Sequence, residues 1–254
     1  MAIRRGEIIT RIIENGLTHN IDPSNRVTYP RSGIKVYNTI DTDVTGSFIN
    51  DVAYNNESPD NFQFGLDGID DMIKLNSRIA ESNTQTDITI NIWFKTTGGG
   101  SSGIHGLINE IAVNTPGRSR ILVNDAGTIV YYTIGGAQSN VNVSPAISSN
   151  IWNNLTLTKD NTVGAKLYIN STLVYSNSND TGVIKGTHAS AFAGTVLGIG
   201  AESVYYMNGK IGCIHVYNRA LSGTEVLQNY NAMIGRFSWV VELEKLLRIL
   251  LKMD

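Results

Sequence analysis

Asp87-Ile88-Thr89-Ile90-Asn91-Ile92-Trp93-Phe94-Lys95 is the stretch that decides the fold class. Ile88, Ile90, Ile92 and Phe94 fall on one side of it, and Thr89, Asn91, Trp93 and Lys95 on the other. A period of two, carried by β-branched and aromatic side chains, is the signature of a strand. Strict alternation predicts one face in a core and one wetter face, as in an antiparallel sandwich. Outward from it, Gly98-Gly99-Gly100-Ser101-Ser102-Gly103 reads as a flexible loop. Further strands are expected over 107–113, 120–124, 128–134, 153–159, 165–170, 173–176, 196–200 and 211–217. Asn124-Asp125-Ala126-Gly127 and Asp160-Asn161-Thr162 hold residues that bond their own backbone or tolerate a left-handed conformation, so they read as turns. Asn170-Ser171, between two short β runs, predicts a tight hairpin. Many short strands with little helical period make the chain all-β, a sandwich or jelly roll.

Composition agrees. Charged residues are 17% of the 254, while Gly, Ser, Thr and Asn are abundant. A chain of this length buries a sizeable core without staples, and its single cysteine, Cys213, excludes an internal disulfide framework. Net charge is -2 and no basic run exceeds Arg4-Arg5, so no nucleic-acid footprint is expected. The opening Met1-Ala2-Ile3-Arg4-Arg5-Gly6-Glu7 has no apolar region followed by a small-residue cleavage site, so no signal peptide is expected. No apolar stretch is long enough and free enough of charge to span a membrane.

Two helices are expected near the C-terminus. Leu221-Ser222-Gly223-Thr224-Glu225-Val226 opens the first: Ser222 and Glu225 form a capping box, and Leu221 and Val226 a hydrophobic staple. Gly235 reads as its left-handed stop. The second spans 239–253, with Leu243, Leu246, Leu247 and Leu250 at its apolar centre and Glu244, Lys245, Arg248 and Lys252 in a narrow polar stripe. At 1.5 Å per residue it is about 22 Å long, too short for a membrane span. Its apolar sector is too wide for a lone surface helix, so it needs a cover: its own sandwich, a sister subunit, another protein or a lipid surface. The N-terminal arm, with Ile3, Ile8, Ile9, Ile12 and Ile13 among Arg4, Arg5, Glu7 and Arg11, docks either on its own domain or on a neighbour. Arg4, Arg5, Ile8, Ile12, Trp239, Leu243, Leu246, Leu247 and Leu250 are therefore the expected partner-docking residues. The division is an arm over 1–15, a sandwich over 16–237 and an amphipathic helix over 238–254.

An ordered series of landmarks then carries a family resemblance. Gly16-Leu17-Thr18-His19-Asn20-Ile21-Asp22-Pro23-Ser24-Asn25 looks like a first strand, and Tyr29-Pro30-Arg31-Ser32-Gly33 like the turn that follows it. Phe64-Gly65-Leu66-Asp67-Gly68-Ile69-Asp70-Asp71-Met72-Ile73, Ile90-Asn91-Ile92-Trp93-Phe94-Lys95 and Trp152-Asn153-Asn154-Leu155-Thr156-Leu157-Thr158 come next. Leu167-Tyr168-Ile169-Asn170 follows, with Ser171 where the family has Gly, and Val216-Tyr217-Asn218-Arg219-Ala220-Leu221-Ser222 closes the series. In this order they resemble a laminin-G-like module of the concanavalin A-like lectin/glucanase superfamily, in the form common in bacteriophage particles. The resemblance covers roughly 16–237.

It implies an antiparallel β-sandwich of the concanavalin A-like jelly-roll kind. It also implies a non-enzymatic structural protein on the virion surface, decorating the capsid or associated with the tail, in contact with its own copies and with major capsid or tail proteins. The alternatives it leaves are an adhesin that reads host-surface glycans and a glycan hydrolase.

Catalysis on such a sandwich needs two carboxylates about 5 Å apart, which β-glucanases place on one strand as E-x-D-x-x-E. No such pattern exists here: Glu110 is isolated and Glu202 lies beside Ser203. His19, His105, His188 and His215 show no metal-ligand spacing, and Cys213 reads as a small buried residue. No cofactor is expected, with one candidate. Many laminin-G-like domains bind calcium, and Asp67, Asp70 and Asp71 are oxygen ligands of the right kind, although in a strand Asp70 and Asp71 would face opposite ways. Tyr131 and Tyr205 are the candidate glycan contacts. As each has a tyrosine neighbour, Tyr132 and Tyr206, each pair is expected to split between core and surface.

Overall fold

The computed structural model describes residues 10–56, 62–78, 84–112, 119–134, 137–181, 184, 195–199, 201–202 and 204–237. Among these are β1 (Leu17–Ile21), β2 (Lys35–Tyr37), β3 (Thr45–Ile49), β4 (Ala53–Asn56), β5 (Phe62–Asp67), β6 (Met72–Leu75), β7 (Ile88–Thr96), β8 (Ile104–Ala112) and β9 (Arg120–Asn124). They continue with β10 (Ile129–Ile134), β11 (Ala137–Asn142), β12 (Asn153–Asp160), β13 (Gly164–Ile169), β14 (Thr172–Asn177), β15 (Thr195–Ile199), β16 (Ala201–Glu202), β17 (Tyr205–Tyr206) and β18 (Asn208–Tyr217). One helix, α1 (Gly223–Phe237), follows.

Two eight-stranded antiparallel sheets face each other. The first runs β14-β13-β12-β7-β18-β5-β4, with β1 also paired to β18; the second runs β11-β10-β9-β8-β15-β6-β3-β2. β18 shares one edge between two partners: residues 208–211 pair with β5 and 214–217 with β1. The inner faces make one core. Ile88, Ile90, Ile92 and Phe94 of β7 and Ile211, Ile214 and Val216 of β18 meet Ile108, Ile121, Val123, Val130 and Tyr132 of the second sheet. The expected jelly-roll sandwich is what the chain forms.

The expected wet face of β7 is a correction: all nine residues are buried. Trp93 stacks on Tyr230 at 5.4 Å and on Phe237 at 4.7 Å, both from α1. Alternation still sorts the two faces, but the outer one is roofed by the chain's own helix. The capping box is present: Glu225 N–H donates to Ser222 Oγ at 3.3 Å, and Ser222 N–H donates to Glu225 Oε2 at 2.8 Å. Leu221 and Val226 share a cluster, as the staple requires. Gly235, however, does not stop the helix, which runs on to Phe237. Tertiary anchors override the local signal. Phe237 lies against both Trp93 and Trp152, and Arg236 makes a two-pronged bond to Asp22 at 2.8 and 3.0 Å.

The described end of the N-terminal arm docks on α1. Ile13 N–H donates to Asn229 Oδ1 at 2.8 Å, and Tyr217 donates its hydroxyl to the Ile13 carbonyl at 3.1 Å. Ile12 packs against the Trp93 cluster. Arg4, Arg5, Ile8, Trp239, Leu243, Leu246, Leu247, Leu250 and the expected helix over 239–253 lie outside the described residues.

The predicted strands sit within a residue or two of the observed ones, except that β8 and β18 each start three residues early. β2–β6, β16 and β17 are not among the expected strands, and neither is β11. Its Ala137-Gln138-Ser139-Asn140-Val141-Asn142 holds few apolar side chains, and pairing with β10 supplies the order. The Asn170-Ser171 hairpin is as expected: both residues take left-handed backbone, φ 48° and 64°, as a two-residue turn between twisted strands demands.

Candidate functional site

One end of the sandwich gathers chemistry. β5 ends at Asp67 and β6 begins at Met72, and between them Gly68 takes φ 80°, which turns the chain sharply. Asp67 Oδ1 accepts from the Ile69 N–H at 2.8 Å, and Asp71 Oδ2 accepts from the Asp67 N–H at 3.1 Å. The turn draws one carboxylate oxygen each from Asp67, Asp70 and Asp71 within 4.8 Å of one another. This corrects the expectation that Asp70 and Asp71 face apart. They lie in a turn, where strand alternation does not apply.

Asp71 is 3% exposed. Burial, and then the charge of Asp67, push its pKa up. The Asp51 backbone N–H lies close enough to favour the charged form somewhat, yet Oδ1 makes no hydrogen bond of ordinary geometry. An orphaned buried carboxylate oxygen beside two further carboxylates fits a hard divalent cation. The triad would supply three of the six to eight oxygens that calcium takes.

Other loops converge here. Asn208 pairs with Asp67 across β18 and β5. Its carbonyl accepts from the Thr97 N–H at 3.1 Å, which ties in the glycine-rich loop. The β16–β17 hairpin joins β18 at this same end, so Tyr205 belongs to the loop cluster. Tyr205 and Tyr206 are both half-buried rather than split, because they sit on a two-residue strand of a projecting hairpin, not inside a sheet. Val204 at the hairpin tip is 56% exposed and Ile69 at the acidic turn 72%. Tyr131 is elsewhere. It lies mid-strand on the outer face of the second sheet, opposite Leu122 and Asn140, while Tyr132 fills the core. His105 is one of the four histidines whose spacing suggests no metal site. It is fully buried with Nε2 3.1 Å from Asp125 Oδ1, and burial lowers its pKa against the opposing pull of Asp125.

The outer face of the first sheet bears on catalysis. β7 presents Thr89, Asn91, Trp93 and Lys95 there, and β18 presents Cys213, His215 and Tyr217. These positions hold no carboxylate, and α1 packs over Trp93, Cys213 and Tyr217. Cys213 is fully buried, which raises its thiol pKa. His215 Nδ1 lies 3.3 Å from Asn91 Oδ1, and Asn91 Nδ2 donates to Asn154 Oδ1 at 3.2 Å and to Thr156 Oγ1 at 2.6 Å. The face is a polar ladder beneath the helix, with His215 at its edge facing the cleft between β1 and the end of α1. His19 is likewise bonded, with Nε2 2.9 Å from Ser77 Oγ, while His188 lies outside the described residues.

Comparison with known proteins agrees with this architecture. A laminin-G-like family model, described as the concanavalin A-like lectin/glucanases superfamily, matches residues 67–227. No curated protein matches the chain. Among solved structures, Domain 4 of AbnA, an extracellular arabinanase from Geobacillus stearothermophilus in complex with arabinotriose, aligns with TM-score 0.63 and 16% identity over 86% of this chain and 100% of that one. Trypanosoma rangeli sialidase aligns with TM-score 0.58 and 13% identity, over 86% of this chain and 33% of its own. The binding domain of botulinum neurotoxin serotype D gives TM-score 0.61 and 14% identity, over 86% and 52%. The chain thus spans all of the arabinanase domain but about a third to a half of the other two. At such identities the likeness is one of fold. No helix among the described residues is long and apolar enough to cross a membrane.

Proposed function

Because the chain belongs to the concanavalin A-like lectin/glucanases superfamily, we propose that it is a non-enzymatic structural component of a phage particle, decorating the capsid or associated with the tail, whose sandwich presents a glycan-contacting surface. The observation that carries the non-enzymatic part is the outer face of the first sheet, where Trp93, Cys213, His215 and Tyr217 stand in place of paired carboxylates and α1 packs over Trp93, Cys213 and Tyr217. Hydrolysis of a glycan needs an accessible acid and nucleophile, and this face offers neither.

The ordered phage-type landmarks from Gly16 to Ser222 support the particle. An arabinanase domain solved with arabinotriose, and a type C botulinum neurotoxin whose cell entry depends on two ganglioside molecules, support glycan contact, which we assign to the loop end around Tyr205. Arg4, Arg5, Ile8, Trp239, Leu243, Leu246, Leu247 and Leu250 would dock the body on capsid or tail proteins or on sister copies, and Ile12 already leans on α1. Many weak docking contacts on a repeated lattice add up through avidity. Asp67, Asp70 and Asp71 would hold a calcium ion that stiffens the recognition loops.

Quantitative mass spectrometry of purified particles tests the reading. Hundreds of copies mean shell decoration and a handful mean a tail component. Absence from particles sinks the virion part and leaves a free adhesin, which a glycan array then checks.

A further inference from the structure

A cleft of about 500 Å³ lies between residues 10–14, β1 and the end of α1, apart from the loop cluster. Asn20 of β1 and His215 of β18 stand directly opposite each other on its floor. His215 is 1% exposed. Asn91 spends its amide hydrogens on Asn154 and Thr156, so its Oδ1 accepts the His215 Nδ1–H. That fixes the tautomer: Nε2 carries a lone pair, and it has no hydrogen-bond partner among the described residues. Asn20 Oδ1 is also buried and unpartnered. Buried polar groups are nearly always hydrogen-bonded. Asn20 Oδ1 is such an exception, and the His215 imidazole stands beside it at the bottom of the same cleft.

The chemistry of the floor selects its ligand. Nε2 accepts, and a side-chain amide both donates and accepts. Cross-strand neighbours stand about 5 Å apart at Cβ, a spacing that two adjacent hydroxyls of one ring can bridge. Ile12, Ile40 and Met233 line the walls and offer an apolar surface to ring C–H groups. Asp22, the carboxylate just past β1, is already held by Arg236, and the other charged lining residues, Arg11 and Glu14, are exposed at the rim and opposite in sign, so the cleft carries no net charge. We propose that this cleft is a subsite for a neutral pyranose, with Asn20 and His215 reading a vicinal diol. The assignment rests on the glycan-binding reading and places one binding site away from Tyr205.

The test uses the full chain, isotope-labelled, titrated with methyl glycosides of glucose, galactose and mannose and followed by NMR of the imidazole nitrogens. At least one glycoside should shift the His215 Nε2 resonance. Asn20→Ala should weaken that glycoside roughly tenfold, the loss of one to two hydrogen bonds. Ile40→Trp, at a half-exposed wall position, should block binding while the backbone spectrum stays dispersed. Binding that leaves His215 and both variants unaffected but is lost in Tyr205→Ala overturns the cleft and keeps the glycan reading. No response to any glycoside overturns the cleft, and no response on a broad glycan array overturns the wider reading as well.

Discussion

His215 is a base held neutral by its surroundings. Burial brings its pKa from 6.5 to about 4; Asp22 pulls the other way, and Arg236 adds to the fall. The unfolded chain therefore binds the proton more readily. Stability is complete above about pH 6.5 and declines as pH falls towards about 4, by as much as about 3 kcal/mol. Denaturant midpoints at pH 4.5 and 7 should differ in that direction, and His215→Gln should flatten the slope. Asp71 has the opposite character. Its raised pKa means that the native carboxylate suits a proton or a cation better than water does. Calcium should raise the melting temperature relative to a chelator, and Asp71→Asn should remove that difference; a calcium response that survives the substitution excludes the acidic triad as the site.

At the scale of elements, local chemistry and packing compete. Ser171 takes φ 64°, a left-handed conformation that costs a residue with a Cβ about 1 kcal/mol. Ser171→Gly should raise stability by about that much, measured by denaturant titration. The start of α1 obeys its local signals: Arg219 donates to Glu225 at 2.6 Å, and this bond lowers the Glu225 pKa to about 2. Ser222→Ala should cost about 1 kcal/mol. The end of α1 obeys packing instead. A Cβ on Gly212 would come within 2.5 Å of the Phe237 ring and 3.0 Å of Trp152. Gly212→Ala should therefore lift the last turn of the helix off the sheet, at a cost of about 1–3 kcal/mol, visible as increased hydrogen exchange at Met233–Phe237.

At the scale of the whole molecule, the helix and the N-terminal segment complete the sandwich. Phe237 is 3% exposed between two tryptophans. Phe237→Ala should cost about 3–5 kcal/mol, a large part of the stability of an ordinary domain, whereas a chain ending at Phe237 should keep its fold. If the proposed docking parts act as described, that shortened chain should also lose particle attachment in a co-sedimentation assay.

The amino-acid order by itself determined what depends on neighbours along the chain. Period-two alternation marked β7, β9, β12 and β13, Asn170-Ser171 marked a hairpin, and Ser222 with Glu225 marked a helix start. Each of these is settled within a few residues. Only the tertiary structure decided what depends on distant partners. Thr18 meets Val216 across 198 positions, and that pairing sets Asn20 beside His215. Trp93 is buried because Tyr230 and Phe237 arrive over it, so strand alternation could sort its face but not its burial. Asp70 and Asp71 share a site because Gly68 turns the chain between two sheets. Alternation and capping are short-range forces legible in one segment. Burial and the convergence of loops are set by which strands pair, and a local pattern does not carry that information.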